Sequence, residues 1–406
     1  MSTLTAQSTP GKAGSDALFP GTVPPPARVW AEIDRSAWRA NYRTVASAVA
    51  PAVLMPVVKA NAYGMGDIET ARAFRESGCR FLAVSCMGEG MRLIDQGLSI
   101  LLLGASLPGE IPEIVRAGLI PSVPDLETAE CVSRVAGAQG KCAKIHIKVD
   151  TGMGRFGMPV SEARASIREI AGLPNLELHG IFSHFAAAGI RDEVTMGQLH
   201  SLAALIRDME SEGIVFRYRH IANSTAIAGI PAASQAPFTM VRSGIDLHGG
   251  HLSCTERSYA TRPVFNLKAR LLAVRHMPQG ATVGYGRTYR VSDADGERIG
   301  IVSIGYADGY PRYLSNKGTM LVRGRACPIT GIVCMDYTMI SLRNAEHARP
   351  GDEVVVIGRQ GESEVPISEV ARAAETIPYE LMCGLGSRVK RYYIDGKELQ
   401  ERQHTE

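Results

Sequence analysis

Lys59 closes the apolar run Leu54-Met55-Pro56-Val57-Val58, and an amine in that position has two physical readings. Its ammonium can snorkel to water, or it can be held in a poorly solvated pocket that weakens its hold on a proton. The second reading carries chemistry, because a neutral amine is what Schiff-base formation with an aldehyde requires. Further along, Ser224, Gly244 and the amide of Ile245 offer a hydroxyl, a residue without a side chain and a backbone N–H, a set suited to a phosphate. Arg155, following Thr151-Gly152-Met153-Gly154, and His184, Asn223 and Arg242 add a further charge and further hydrogen-bonding groups. Each has a plainer structural reading. Gly244 can close a turn, Ser224 can cap a helix, His184 can be a satisfied core histidine, and Arg155 can be a surface charge after a glycine turn.

The surrounding elements give these residues a common place. Eight short apolar runs, 52–59, 81–86, 100–104, 120–123, 144–150, 176–185, 217–223 and 238–244, alternate with stretches of helical periodicity, as in a parallel sheet wound with helices. In 191–213, Met196, Leu199, Leu202, Leu205, Ile206 and Met209 recur at helical spacing and Gly213 stops the run, which predicts a helix with a core-facing stripe. No Gly-x-Gly-x-x-Gly follows the first run, so the pattern predicts an α/β chain forming a closed (β/α)8 TIM barrel rather than a Rossmann sheet. Working groups of a barrel lie at the carboxyl ends of its strands. Those ends carry Lys59 and Tyr63 on strand one, Asp150 and Arg155 on strand five and His184 on strand six. Strand seven carries Asn223 and Ser224, and strand eight carries Arg242 and Gly244. Because barrels commonly hold phosphate beyond strands seven and eight, a lysine with this cradle suggests pyridoxal phosphate.

After about residue 260 the texture changes to strand-like segments at 264–277, 298–309, 319–324, 331–342 and 353–358, a second and mainly β domain. One helix candidate interrupts it, starting after Pro366 and breaking at Pro378. The expected organisation is a flexible tail over 1–27, a cofactor-binding barrel over 28–260 and a mainly β C-terminal domain over 261–406. Cys334 and Met335 read as interior strand residues, and Asp308 and Asp336 as turn and hydrogen-bonding residues.

Composition excludes other classes. With 45% hydrophobic and 21% charged residues, the chain has the balance of an ordinary soluble enzyme. Lys+Arg 44 against Asp+Glu 41 leaves +3 with no dense basic run, so no nucleic-acid partner is expected. The longest apolar runs, 98–107 and 353–358, fall short of the roughly 18 residues of a membrane span. Residues 1–27 lack the apolar core of an export signal. The eight cysteines form neither Cys-x-x-Cys nor a Cys/His cluster, which argues against a metal and for a reducing cytoplasm.

From Val29 onward ten segments, in order, resemble the alanine racemases, a family of pyridoxal-phosphate enzymes with a barrel and a β domain. They are VWAEID at 29–34, PVVKANAYG at 56–64, KVDTGMGRFG at 148–157, IFSHFA at 181–186 and HIANS at 220–224, then MVRSGI at 240–245, VGYGRT at 283–288, IGYADGY at 304–310, VCMD at 333–336 and YELMCGL at 379–385. The resemblance implies interconversion of L- and D-alanine, supplying D-alanine for peptidoglycan, by a homodimer whose active sites are shared between subunits. It implies that Lys59 carries the cofactor as a Schiff base and serves as base on one face of the substrate, with Tyr285 from the partner subunit on the other. Arg242 is implied to hydrogen-bond the pyridine nitrogen, and Tyr63, Ser224, Gly244, Ile245 and Tyr379 to hold the phosphate, with Asn223 beside them. Arg155 and the backbone of Met335 are implied to hold the substrate carboxylate, Lys148, a carbamate in the family, to orient Arg155, and Tyr306 to support the site. His184 is implied to link Arg242 to Tyr285.

The chemistry explains these residue types. Racemisation removes the α-proton on one side of a planar carbanion and returns it on the other, so it needs acid/base groups on both faces. A phenol ordinarily titrates near about 10, so a tyrosine base needs positive charge nearby, for which His184 hydrogen-bonded to Arg242 is the expected source. Without the resemblance, Gly284-Tyr285-Gly286 reads as a hairpin turn with a packed ring.

Three positions depart from the family pattern: Met65 in place of a histidine, His248 in place of a tyrosine, and Ile332 in place of an arginine that narrows the substrate corridor. That arginine's acidic partner falls at Gly189, or at Asp192 if the loop is shifted. A corridor without the pair is wider or less charged, which makes a racemase of broader specificity the alternative to one confined to alanine. A basic amino-acid decarboxylase of the same architecture is a further alternative, against which stand Arg242 and the VGYG segment. A cofactor carrier without activity has no use for the roughly 145 residues after the barrel.

Overall fold

The eight apolar runs form the eight parallel strands of a closed barrel in the computed structural model, which describes residues 27–250 and 258–396. Barrel strands one to eight are Val53–Pro56, Phe81–Val84, Ser99–Leu102, Ser122–Val123, Ala143–Asp150, Leu176–Phe182, Tyr218–His220 and Met240–Ser243. Strand eight pairs in parallel with strand one, Val241 opposite Leu54, and the Arg242 amide donates to Ala222 carbonyl at 3.1 Å, which ties strand eight back to the end of strand seven. The bridges Val57–Ala83 and Leu101–Ile120 complete the ring. The expected tail falls, apart from Ala27, outside the described residues.

Helices cover the barrel through the stripes visible in the sequence. In the helix Glu193–Ser211, Leu199, Leu202, Leu205, Ile206 and Met209 are buried, and the Asp192 carboxylate caps its first turn by accepting the Thr195 amide at 2.8 Å. Gly213 stops the chain at φ +82°, a conformation that favours glycine. No described helix is long and apolar enough to cross a membrane.

The second sheet is built on Phe265–Met277, whose strict in–out alternation buries every other residue over its first half. It pairs antiparallel with Val29–Asp34, Glu353–Gln360 and Glu297–Val302. Val29–Asp34 also pairs in parallel with Lys390–Ile394, so this early segment lies in the sheet with later strands rather than in the barrel wall. Lys268 Nζ sits between Glu32 at 2.9 Å and Glu353 at 3.0 Å, joining three strands through one cation. The helix candidate is two helices, Ile367–Ala373 and Pro378–Cys383, the second with proline in its first turn, where a missing N–H costs nothing.

Two side chains of Lys390–Ile394 reach the barrel mouth. Arg391 Nε donates to the Gly64 carbonyl at 2.6 Å, and Tyr393 Oη donates to the Met65 carbonyl at 3.0 Å. A Cβ at Gly66 would lie 1.9 Å from Tyr393 Oη, so the close approach requires glycine there. The sheet thereby clamps the segment that follows Lys59.

Candidate active site

Lys59 enters the mouth on an unusual turn. Ala60, Asn61, Ala62 and Tyr63 all have φ between +52° and +57°, a left-handed turn of four residues with side chains. Each such residue costs roughly 1–2 kcal/mol, so the surroundings must enforce the turn. They do so with the Glu89 carboxylate, which accepts the Ala60 amide at 2.7 Å, with Asn61 Oδ1, which accepts the Asp67 amide at 3.0 Å, and with the Arg391 clamp on Gly64. Although Lys59 keeps an exposed surface, the protein crowded around its amine lowers its proton affinity, and Arg155 lowers it further. Of the two readings of this lysine, the lowered proton affinity favours the partly desolvated amine.

Arg242 is buried at the mouth and held through both terminal nitrogens. Nη1 donates to His220 Nδ1 at 2.6 Å, while Nη2 reaches the carbonyls of Ser183 at 2.9 Å and Ile221 at 3.1 Å and His184 Nδ1 at 3.0 Å. Burial lowers its pKa to about 9, which leaves it a cation at neutral pH. The same burial, with Arg242 next, pushes His184 down to about 2. His184 is therefore a neutral ring, and the positive charge expected of the pair belongs to Arg242 alone.

Strand five supplies the third cluster. Asp150 accepts the amides of Gly152, Met153, Gly154 and Arg155 at 2.7 to 3.2 Å and so shapes the turn that presents Arg155. Lys148 lies buried with Nζ 4.5 Å above the Phe182 ring. Burial first, then Arg242 and Arg155, lowers its pKa to about 7, so much of it is a neutral amine at physiological pH.

At the ends of strands seven and eight the Gly244 amide donates to Ser224 Oγ at 3.0 Å, and Asn223 Oδ1 caps the Ser224–Gly229 helix through the Ala226 amide at 3.0 Å. A Cβ on Gly244 would lie 2.0 Å from Tyr63 Oη, so hydroxyl and backbone share a cradle that any side chain would fill. The rings of His248 and Tyr379 flank Tyr63 at 5.2 and 5.9 Å, and burial keeps its phenol protonated and able to donate. This donor set fits a phosphate, the desolvated Lys59 fits an aldehyde, and Arg242 fits a ring nitrogen, so the residues present suit pyridoxal phosphate.

Lys59, Tyr63, Lys148, Arg155, His184, Asn223, Ser224, Arg242, Gly244 and Tyr379 line one cavity of about 270 Å³. Ile245 follows Gly244, buried at the start of a short 3-10 turn. Tyr285, Met335 and Tyr306 are not brought there within one chain; they are 72%, 53% and 43% exposed on the second domain. Cys334 and Met335 are not interior strand residues. They lie in a loop before the strand Thr338–Ser341, closed by the Cys334 amide donating to the Tyr337 carbonyl at 2.9 Å, and Tyr306 packs beside it through its amide on the Cys334 carbonyl at 3.0 Å. Asp308 and Asp336 share Arg388, at 3.2 and 2.9 Å.

Sequence reasoning missed Glu89 and Phe182. Glu89 follows Lys59 by 30 residues in the next βα unit and carries no local signal, and Phe182 takes both Lys148 and Arg242 over its ring, at 4.5 and 5.4 Å. Of the departures, Met65 is fully buried, and His248 Nδ1 accepts from Trp38 Nε1 at 3.0 Å. Asp192 is occupied as a helix cap, and Ile332 packs against the Gly284–Gly286 turn that carries Tyr285.

Two family models match the chain, that of the alanine racemase N-terminal domain over residues 33–251 and that of the C-terminal domain over 264–393. The chain is 39% identical over 371 residues to an alanine racemase of Symbiobacterium thermophilum, covering 90% of this chain and 96% of the relative. It is 38% identical to one of Carboxydothermus hydrogenoformans, covering 90% and 99%. Among solved structures, an alanine racemase from D-cycloserine-producing Streptomyces lavendulae superposes with a TM-score of 0.84 at 33% identity, covering 92% of this chain and 99% of that one.

Proposed function

This chain belongs to the alanine racemase family, and we propose on that footing that Lys59 and, from a second copy, Tyr285 are the two bases with which it interconverts L- and D-alanine. Its activity is that of a pyridoxal-phosphate-dependent isomerase. The observation that carries the assignment of residues is the convergence of a partly desolvated Lys59, the Tyr63–Ser224–Gly244 cradle and the Arg242 cation in one cavity.

When bound, pyridoxal phosphate supplies an electron-withdrawing ring that stabilises negative charge at the substrate Cα. Lys59 would hold or release a proton at Nζ on one face. Tyr63, Ser224 and Gly244 would hold the phosphate, with Ile245, Asn223 and Tyr379 around them. Arg242, whose guanidinium only donates, would face the ring nitrogen without giving up its proton. Arg155, on its Asp150-shaped turn, would orient the substrate carboxylate. Lys148, as neutral amine or as carbamate, would orient Arg155.

The second face needs a group this chain does not bring to its own cavity. The exposed Tyr285, Tyr306 and Met335 support a homodimer in which each β domain completes the other subunit's mouth. Free thiols at all described cysteines support a cytoplasmic setting, in which the D-alanine product would feed peptidoglycan synthesis.

Exchange of the α-hydrogen in deuterated water tests the assignment. Lys59→Ala and Tyr285→Phe are expected to show opposite-handed defects, each losing exchange with one enantiomer. Equal residual exchange with both enantiomers in both variants would overturn the two-base assignment.

A further inference from the structure

Below the cavity, a line of buried side chains continues from Arg242 into the barrel. Arg242 Nη1 meets His220 Nδ1 at 2.6 Å, His220 Nε2 meets His146 Nδ1 at 3.0 Å, and His146 Nε2 meets His179 Nδ1 at 3.1 Å. The line descends toward the amino ends of the strands. Lys148, Phe182 and His220 share one level of the register, His146, Gly180 and Tyr218 the next, and His179 lies below. None of the three imidazoles lines the cavity.

Local structure is fitted to this line. A Cβ on Gly180 would lie 2.6 Å from the His146 ring, so the glycine makes room for the imidazole. His220 stacks on Phe182 at 4.8 Å with 8° between planes. The pairing of strands five and six shifts register between Ile145 and His146, opposite His179, and such an irregularity re-aims a side chain.

The head of the line sets its direction. A guanidinium only donates, so His220 Nδ1 must accept and its proton must sit on Nε2. His146 then accepts at Nδ1 and donates from Nε2, and His179 accepts at Nδ1. Burial keeps the rings neutral: His220 lies well below its ordinary pKa, His146 is lowered to about 3, and His179 is lowered as well. The charges facing His179 are Glu177, Lys144 and Arg217, all exposed at the lower end; Arg242 and His179 face His146, and Arg242, His146 and Lys148 face His220. A ring that donates from one nitrogen accepts more strongly at the other, so each bond reinforces the one above it and the last reinforcement reaches Arg242.

We propose that His146 and His179 are positioning residues for racemisation: by accepting from His220 Nε2 along the line they anchor its ring and strengthen Nδ1 as an acceptor, and so hold the Arg242 guanidinium in one orientation toward the cofactor ring. The proposal rests on the reading that Arg242 faces that ring. Neither histidine touches substrate; both act through His220 and Arg242.

The test compares cofactor-loaded wild type with His146→Leu and His146→Asn. Leucine cannot accept from His220, whereas the asparagine carboxamide oxygen stands near the place of imidazole Nδ1 and can. Nitrogen-15 NMR of the imidazoles is expected to show His220 as the Nε2–H tautomer throughout, with its two nitrogen signals displaced in His146→Leu, where Nε2–H has lost its acceptor, and near their wild-type positions in His146→Asn. The kcat of His146→Leu is expected to fall about tenfold with KM for alanine unchanged, and His146→Asn to recover most of the loss. His179→Leu, one bond further away and less disruptive of the core, is expected to shift both readouts in the same direction by less. Unmoved His220 nitrogen signals in His146→Leu, or displaced signals with unchanged kcat, overturn the proposal. An Arg242→Lys enzyme whose cofactor absorbance and activity equal wild type overturns the placement of Arg242 itself, and this inference with it.

Discussion

Glu89 holds Ala60: its Oε1 accepts the Ala60 amide at 2.7 Å while its Oε2 accepts the Ser85 amide, also at 2.7 Å. One carboxylate thus fixes the first left-handed residue after Lys59 to the end of the neighbouring barrel strand. Glutamine at this position has a single acceptor oxygen, so one amide would face an NH2 group. Glu89→Gln is expected to lose about 1–3 kcal/mol of stability, the scale of a hydrogen bond to a charged acceptor. It is also expected to lower kcat, because Lys59 loses its fixed approach, with a smaller effect on KM. Thermal unfolding with steady-state kinetics checks both. Unchanged melting and unchanged kcat together would show that the left-handed turn stands without Glu89.

The contrast between Glu89 and Gly244 shows what was legible in the sequence. Gly244, Ser224, Arg242 and Lys59 each end an apolar run, so the barrel rule places them at one mouth before any distance is known. Glu89 ends no run, and its role exists only because two βα units lie side by side. The same holds for His146 and His179, which sit inside strands and read as core. The pairing of Val29–Asp34 with strands more than two hundred residues away has no local signature either. Cys334 and Met335 read as strand from sequence, because an apolar run looks alike whether it forms a ladder or a loop folded back on Tyr306. Tyr285 carries a turn signal and nothing catalytic, and only the family resemblance gave it a role.

Lys148 gives the site a pH dependence whose sign can be worked out. Its folded-state pKa is lowered from 10.5 to about 7, so the unfolded chain binds a proton that the folded chain releases between those values. The unfolded state binds more protons throughout that window, and stability must rise with pH across it. Below about pH 7 the folded state carries the full penalty of a buried ammonium, on the order of a few kcal/mol. Lys148→Met is therefore expected to be more stable than the unmodified wild type at pH 6, with the gap closing toward pH 10. Denaturant unfolding in carbon-dioxide-free buffer measures it. A neutral amine also reacts with carbon dioxide, so labelled bicarbonate is expected to give a carbamate NMR signal in wild type that is missing from Lys148→Met. A gap that is constant across the pH range would mean that Lys148 does not titrate in the folded protein.

Ile332 bears on which amino acids are accepted. Its Cδ1 lies 3.7 Å from where a Cβ on Gly286 would be, and its amide 3.5 Å from the corresponding point on Gly284, so it packs against the turn presenting Tyr285. A half-buried isoleucine there offers neither a charge to repel a cationic side chain nor a donor to order a polar one. Asp192, the nearest acidic residue in sequence to the expected corridor position, is already occupied as a helix cap. The wild type is therefore expected to turn over serine and a basic amino acid alongside alanine. Ile332→Arg is expected to lower kcat/KM for the basic amino acid most, since like charges repel across an interface. Serine should fall less, by roughly tenfold at most, the scale of one small group in a pocket, and alanine least. Turnover of the three substrates by both enzymes decides it. A wild type confined to alanine would remove the corridor argument, because the missing arginine would then have no bearing on substrate size.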